Sequence, residues 1–177
     1  MALRVSSIPS LPPVNGGIAR MLPLATTVLA AVIAILPVPA PGYAALTPAF
    51  TLMAVYHWTI YRPDLLPPAG LFAVGLAQDL LAGAPVGVTP LLLLLARAAV
   101  LRHRRYFINR TFAFVWGGFT LLGATAMLGL WSLHSLLQLN LFDLRTTVFR
   151  TVLTVAIFPV ASLALGRTQR ALMGASA

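Results

Sequence analysis

The sequence predicts an all-α integral membrane protein, six transmembrane helices gathered into one compact bundle, and three observations carry that prediction. Hydrophobic residues make up 59% of the 177 residues and charged residues only 8%, too few charges to cover the surface of a soluble domain of this size. The apolar residues run in blocks of roughly 20, about what a helix needs to cross a hydrocarbon core of ~30 Å. Runs such as PLLLLLARAAVL lack the period-two alternation of a membrane-spanning strand, which excludes a barrel.

Taken in order, residues 1–19, with Pro9, Pro12, Pro13, Gly16 and Gly17, form a flexible tail ahead of the membrane domain. Six apolar segments follow: Met21 to Val38, Tyr43 to Tyr61, Pro68 to Ala84, Val88 to Leu101, Phe112 to Leu137 and Thr146 to Gly166. The third and fourth are short for spanning helices and are expected among the others, where protein rather than lipid covers their ends. The membrane domain thus covers residues 20–167, and 168–177 form a short carboxyl-terminal tail. PAPGYAA after the first segment has the small residues of a signal-peptidase site. Cleavage is disfavoured because it would move the Arg-rich loop to the wrong side of the membrane.

The net charge of +9 comes from twelve Arg against three Asp, with neither Lys nor Glu. In a soluble protein that balance suggests nucleic acid; here the charges sit at helix ends and read as topology signals. An inside amino terminus assigns Arg4, Arg20, Arg62, Arg102, Arg104, Arg105, Arg110, Arg167 and Arg170 to the cytoplasmic side and leaves only Arg145 in the opposite loops. Trp58 and Trp116 then lie near the inner interface and Trp131 near the outer one, as an aromatic belt would.

Within the third segment Gly75, Asp79 and Gly83 are spaced by four, so on a helix they share a face with Phe72 and Leu76 beside them. Glycines at that spacing admit a close neighbour, and a carboxylate on the same face points into protein. An unpaired charge at mid-helix costs about 2.5 to 3.5 kcal/mol on insertion scales, so Asp79 is expected to pair with Arg97 or Arg150. A helix-fixing role for that pair is favoured over direct chemistry. Gln78 adds a polar neighbour. Ala30 and Ala34 on the first helix permit close packing, a weak signal in so Ala-rich a chain.

Catalytic readings lack a residue set. His57, His103 and His134 are scattered, no H-E-x-x-H or G-x-S-x-G occurs, and no Cys is present. No cofactor or metal site is therefore expected. The cluster RHRRYFINRTF, with Arg102, Arg104, Arg105 and Arg110, reads as a basic cytoplasmic loop. It could attract anionic headgroups or a cytosolic partner, although positive-inside anchoring is the favoured reading. Its NRT at Asn109 is inert on that side.

The stretch YRPDLLPP (Arg62, Pro63, Asp64, Pro67), followed by GLAQDLLAGAPVG (Gly75, Leu76, Asp79, Leu80, Gly83, Pro85, Gly87), resembles the rod shape-determining MreD family. Its pattern is G-L-x-x-D-x-L-x-G-x-P-L-G, with Val86 here in place of Leu. RRYF followed by a Trp-containing helix is also similar. The resemblance implies a non-catalytic adaptor of the bacterial inner membrane, multi-pass with both termini cytoplasmic, in the elongasome that drives peptidoglycan synthesis along the side wall. Implied partners are MreC, RodA with its class B penicillin-binding transpeptidase, and indirectly MreB filaments, besides membrane lipids and no nucleic acid; a homodimer is left open. It also implies a fold like the S-components of vitamin transporters. The alternative function is such a substrate-binding S-component, with Gln78, Asp79, His134, Gln138, Asn140 and Arg150 as the polar groups of an outward pocket. A lipid-handling enzyme is a third, disfavoured reading.

Overall fold

The computed structural model describes residues 17–35, 49–107, 110–138 and 144–174, without the side chains of residues 17–20, 134, 137, 138 and 171–174. Six α-helices make up nearly all of this, with no strand among the described residues. They are α1 (Gly17–Ile35), α2 (Phe50–Tyr61), α3 (Pro68–Ala82), α4 (Val88–Phe107), α5 (Phe112–Gln138) and α6 (Leu144–Gly174), with a 3-10 turn at Pro63–Leu65 between α2 and α3. Most of the expected amino-terminal tail and segment 43–48 lie outside the described residues.

The centre of the bundle is α2. Every residue from Thr51 to Ile60 is buried, as expected of a helix that is apolar all round and has no polar face to offer water. The other five helices ring it in the order α1, α3, α4, α5, α6, neighbour against neighbour, with α1 and α6 closing the circle. Tyr56 ties four of the helices together: its ring meets Phe107 of α4 at 6.0 Å, Phe119 of α5 at 5.2 Å and Phe158 of α6 at 5.6 Å, all edge-on. Phe119 and Phe158 stack at 4.1 Å. Edge-to-face pairs of this kind add about 0.5 to 1.5 kcal/mol each beyond the area they bury.

Outside the ring, large apolar side chains are exposed, among them Leu29, Leu95, Leu136, Phe149 and Val160. Apolar side chains on the outside and a packed core within suit a hydrocarbon surrounding. Two of the helices, over Phe112–Leu133 and Leu144–Arg170, are long and apolar enough to cross a membrane.

Four expectations change. The fourth helix does not stop at Leu101 but runs to Phe107, so most of the expected basic loop is helix. Arginine is a good helix former and its long stem carries the charge outward, so a run of arginines does not end a helix. The sixth likewise passes Gly166 and continues to Gly174, taking in most of the expected tail. Helix α3 ends at Ala82, on Gly83. Trp58 is fully buried, its Nε1 donating to Thr26 Oγ1 on α1 at 2.8 Å; it belongs to the core and not to an interfacial belt.

Candidate functional site

The sequence motif around Asp79 folds into the hairpin of α3 and α4. Pro67, extended at φ −66° and ψ 144°, precedes α3, and Pro68 occupies its first position, where a missing N–H is harmless. One turn before Asp79, Gly75 meets the backbone of α4: a Cβ there would stand 2.7 Å from both Pro90 Cα and Pro90 N. Glycine is thus what lets the two backbones touch. At its far end α3 stops on Gly83, left-handed at φ +63°. The Ala84 N–H returns to the Asp79 carbonyl at 3.0 Å, the bond that accompanies a left-handed glycine stop.

Asp79 itself is buried, and its carboxylate starts the next helix. Gly87 N–H donates to Oδ2 at 2.8 Å, and Thr89 N–H donates to Oδ2 and Oδ1 at 3.2 and 3.3 Å. The first N–H groups of any helix lack partners within it, and every donor in this first turn is accounted for. Val88 N–H reaches the Pro85 carbonyl at 3.4 Å, and Pro90 has no N–H to satisfy. The negative charge also sits at the positive end of the α4 dipole. Gly87, at φ +99°, supplies a backbone conformation that side chains disfavour. Asp79 therefore closes α3 with its carbonyl and opens α4 with its carboxylate. The expected pair with Arg97 or Arg150 does not form, because the carboxylate oxygens are taken by backbone donors of its own hairpin.

Arg97 works at the opposite end of the bundle. Its Nε donates to the Leu66 carbonyl at 3.2 Å and Nη2 to the Pro63 carbonyl at 3.3 Å. Two turns further along α4, Arg104 Nε donates to the Ile60 carbonyl at 2.7 Å. The turn between α2 and α3 contains Pro63 and Pro67, which lack an N–H; the Pro63 carbonyl accepts from Leu66 N–H at 3.4 Å as well as from Arg97, while the arginines add donors at Leu66 and Ile60. Arg62, buried at the start of this turn, lies 3.7 Å from the half-exposed Asp64.

The remaining candidates divide between the ends. Gln78 Nε2 donates to Thr51 Oγ1 of α2 at 3.0 Å. Arg150, half-buried on α6, lies one turn before Thr154, whose Oγ1 accepts from Ala49 N–H at 3.1 Å and so caps the start of α2. Arg102 and Arg105 are exposed on the last turns of α4 and Arg110 lies just before α5. His57 is buried in α2 and His103 exposed on α4; the side chains of His134 and Gln138, and all of Asn140, lie outside the described residues. Among the described residues no three His, Cys, Asp or Glu approach closely enough to hold a metal ion.

Sequence reasoning missed one site altogether. Pro159 stands inside α6, so the Val155 carbonyl four residues earlier loses its helical donor. Trp116 Nε1 of α5 supplies a replacement at 3.0 Å. A proline four residues after an apolar helical residue was the available signal.

Residues 17–167 match the family model of the rod shape-determining protein MreD. The chain belongs to the MreD family. The match spans all of α1 to α5 and most of α6, so both ends of the bundle described above fall within the MreD region. No curated protein and no solved structure matches the chain. Membership makes it a cell-shape-determining membrane protein. In this MreD-family chain, the G-L-x-x-D-x-L-x-G-x-P-x-G stretch is the α3–α4 hairpin, each of its Gly and Asp positions having a backbone task.

Proposed function

We propose that this protein is the non-catalytic membrane subunit of the bacterial cell-elongation complex. In this reading it binds MreC and helps to organise RodA and its penicillin-binding transpeptidase, coupled through them to MreB filaments. The observation that carries it is the family match over residues 17–167. The structure supports the adaptor role in physical terms. Gln78 and Asp79, which a transporter S-component would turn toward a ligand, bond instead within the bundle. The inter-helix turn of residues 83–87 is short, and outward-facing apolar helix surfaces are what remains to meet partner helices.

In the same proposal all six helices cross the inner membrane with both termini cytoplasmic, in a bundle akin to the S-component fold. Alternating helix directions place Arg62, Arg104, Arg110 and Arg167 at one end, and an excess of arginine marks the cytoplasmic face. Because the chain contains no Cys, a single cysteine at Arg145→Cys or Thr168→Cys reports sidedness. An impermeant maleimide added to intact spheroplasts should label the first and not the second; the reverse pattern would invert the topology.

The functional test is mild-detergent co-purification of the tagged protein from its native membrane, with partners and extracted small molecules identified by mass spectrometry. Recovery of MreC, RodA and the transpeptidase is expected. Recovery of ATPase subunits, or of a stoichiometric vitamin, would replace the adaptor with a transporter component.

A further inference from the structure

Between α4 and α5, at the arginine-rich end, lies a cleft of about 460 Å³. Ala99, Val100, Phe107, Leu121 and Leu122 line it, and Tyr106 and Phe114 stand at its rim, half-exposed. Its wall hydroxyls are turned away from the space. Tyr56 Oη donates to the Val115 carbonyl at 2.8 Å, and Thr125 Oγ1 bonds the Leu121 and Leu122 carbonyls, each at 2.9 Å. His103 also lines the space, its Nδ1 3.0 Å from the Ala99 carbonyl of its own helix, and the rest of the wall is apolar. From Phe114 to Thr125 the cleft follows three turns of α5, roughly 16 Å at ~1.5 Å per residue.

The rim is the opposite in character. Arg105 lies over the Tyr106 ring, its Cζ 4.8 Å from the centroid, and its Nη2 donates to Tyr106 Oη at 2.9 Å. Arg110 lies over the Phe114 ring at 5.8 Å. Each rim aromatic thus holds a guanidinium, one on either wall, in cation–π contacts that fix position without neutralising charge. Asp64, the one described acid at this end, is paired with Arg62. Two exposed cations above an apolar slot match an amphiphile with an anionic head and a hydrocarbon tail; basic pockets between membrane helices bind lipid headgroups on these terms.

We propose that the α4–α5 cleft is a binding site for an anionic phospholipid, its phosphate between Arg105 and Arg110 and one acyl chain along Leu121 and Leu122 toward Thr125. This goes beyond the adaptor role and rests only on the chain lying in a membrane. The lipid fills a groove that faces the bilayer and ties the ends of α4 and α5 through a shared anion.

The test uses the full chain in phosphatidylcholine nanodiscs doped with phosphatidylglycerol carrying a photoactivatable tail, against phosphatidylcholine carrying the same tail, cross-linked peptides being mapped by mass spectrometry. The separate apolar groove between α1 and α3, about 320 Å³ and lined by Leu24, Val28, Ala73 and Leu81, serves as the internal reference. Phosphatidylglycerol should label the α4–α5 cleft in preference to that groove, and phosphatidylcholine should show no such preference. Arg105→Gln with Arg110→Gln should lower the preference up to roughly 30-fold, taking each basic residue near the surface at about 1 kcal/mol. Arg105→Lys with Arg110→Lys should largely restore it. Leu121→Trp, at an exposed lining position, should block cleft labelling with both arginines intact. Equal labelling by the two lipids, or a preference that survives the double Gln substitution, would overturn the site. So would cross-links from a partner's helix at these residues in the co-purified complex, with lipid excluded.

Discussion

The two ends of the bundle solve the same problem with opposite charges. Where α3 turns into α4, one carboxylate accepts the N–H groups that α4 leaves open, within a single hairpin. Where α2 turns into α3, two arginines from α4 donate to carbonyls at the end of α2 and in the proline-rich turn that follows it. The difference lies in reach. A short aspartate works only if the backbones already touch, hence Gly75, and only if the turn takes left-handed conformations, hence Gly83 and Gly87. Long arginines span the gap between helices and make no such demand on the backbone. One end is rigid by geometry, the other held by adjustable props.

That contrast predicts a ranking of substitutions, measured as the folded fraction surviving heating in detergent and read by size-exclusion chromatography. Gly75→Leu should have the largest effect, more than about 3 kcal/mol, because the side chain must push Pro90 backbone aside and not merely crowd a rotamer. Asp79→Ala comes next, at about 2 to 4 kcal/mol, since it removes the acceptor of two part-buried N–H groups, those of Gly87 and Thr89. Asp79→Asn, which keeps one acceptor oxygen, should recover about half of that loss. Gly83→Ala should cost only about 1 to 2 kcal/mol, the strain of a left-handed residue, because no atom lies within 4 Å of the added Cβ. Had Gly83 served helix approach, as its spacing from Gly75 suggests, it would rank with Gly75. Equal losses for the two glycines would return it to that role.

How much of this was legible follows from the same contrast. The six helices were readable as apolar blocks because burial in a membrane bundle imposes hydrophobicity on every face. Their ends were harder: arginines that read as loop prolong α4 and α6 instead. Asp79 was recognisable as buried and important, but its partner was sought among the cations. The overlooked donors were the backbone amides eight and ten residues ahead, signalled by Gly87 and by Pro90 in the first turn of the following helix. Arg97 and Arg104 act across 31 and 44 residues, and no local pattern encodes such a contact. Trp58, expected at the inner interface from its place near the end of the second segment, sits in the core because α2 is buried on every side.

At the arginine end, Arg104→Gln should cost about 1 kcal/mol, the net worth of one hydrogen bond to the α2 carboxyl end with its favourable dipole term. Arg104→Lys should recover part of it, since an ammonium on a flexible stem still reaches a carbonyl. The same exchange has no counterpart at the carboxylate end, where lengthening Asp79→Glu would displace the acceptor from a turn that cannot adjust. If Asp79→Glu is as mild as Arg104→Lys, the two ends do not differ in rigidity.

A coupling between two neutral residues separates charge from the satisfaction of backbone groups. Trp116 and Pro159 form a neutral version of both ends, an indole N–H donated to the Val155 carbonyl that proline has deprived of its helical donor. Trp116→Phe should cost about 0.5 to 1.5 kcal/mol through that bond, apart from lost packing. Pro159→Ala restores an N–H to the helix, so in that background the hydrogen-bond part should vanish and only the packing part remain. The double-mutant cycle therefore yields a coupling of up to about 1 kcal/mol. A coupling near zero would mean that the carbonyl tolerates having no donor, and would leave the charge of Asp79 and the arginines, rather than their hydrogen bonds, as what holds the two ends.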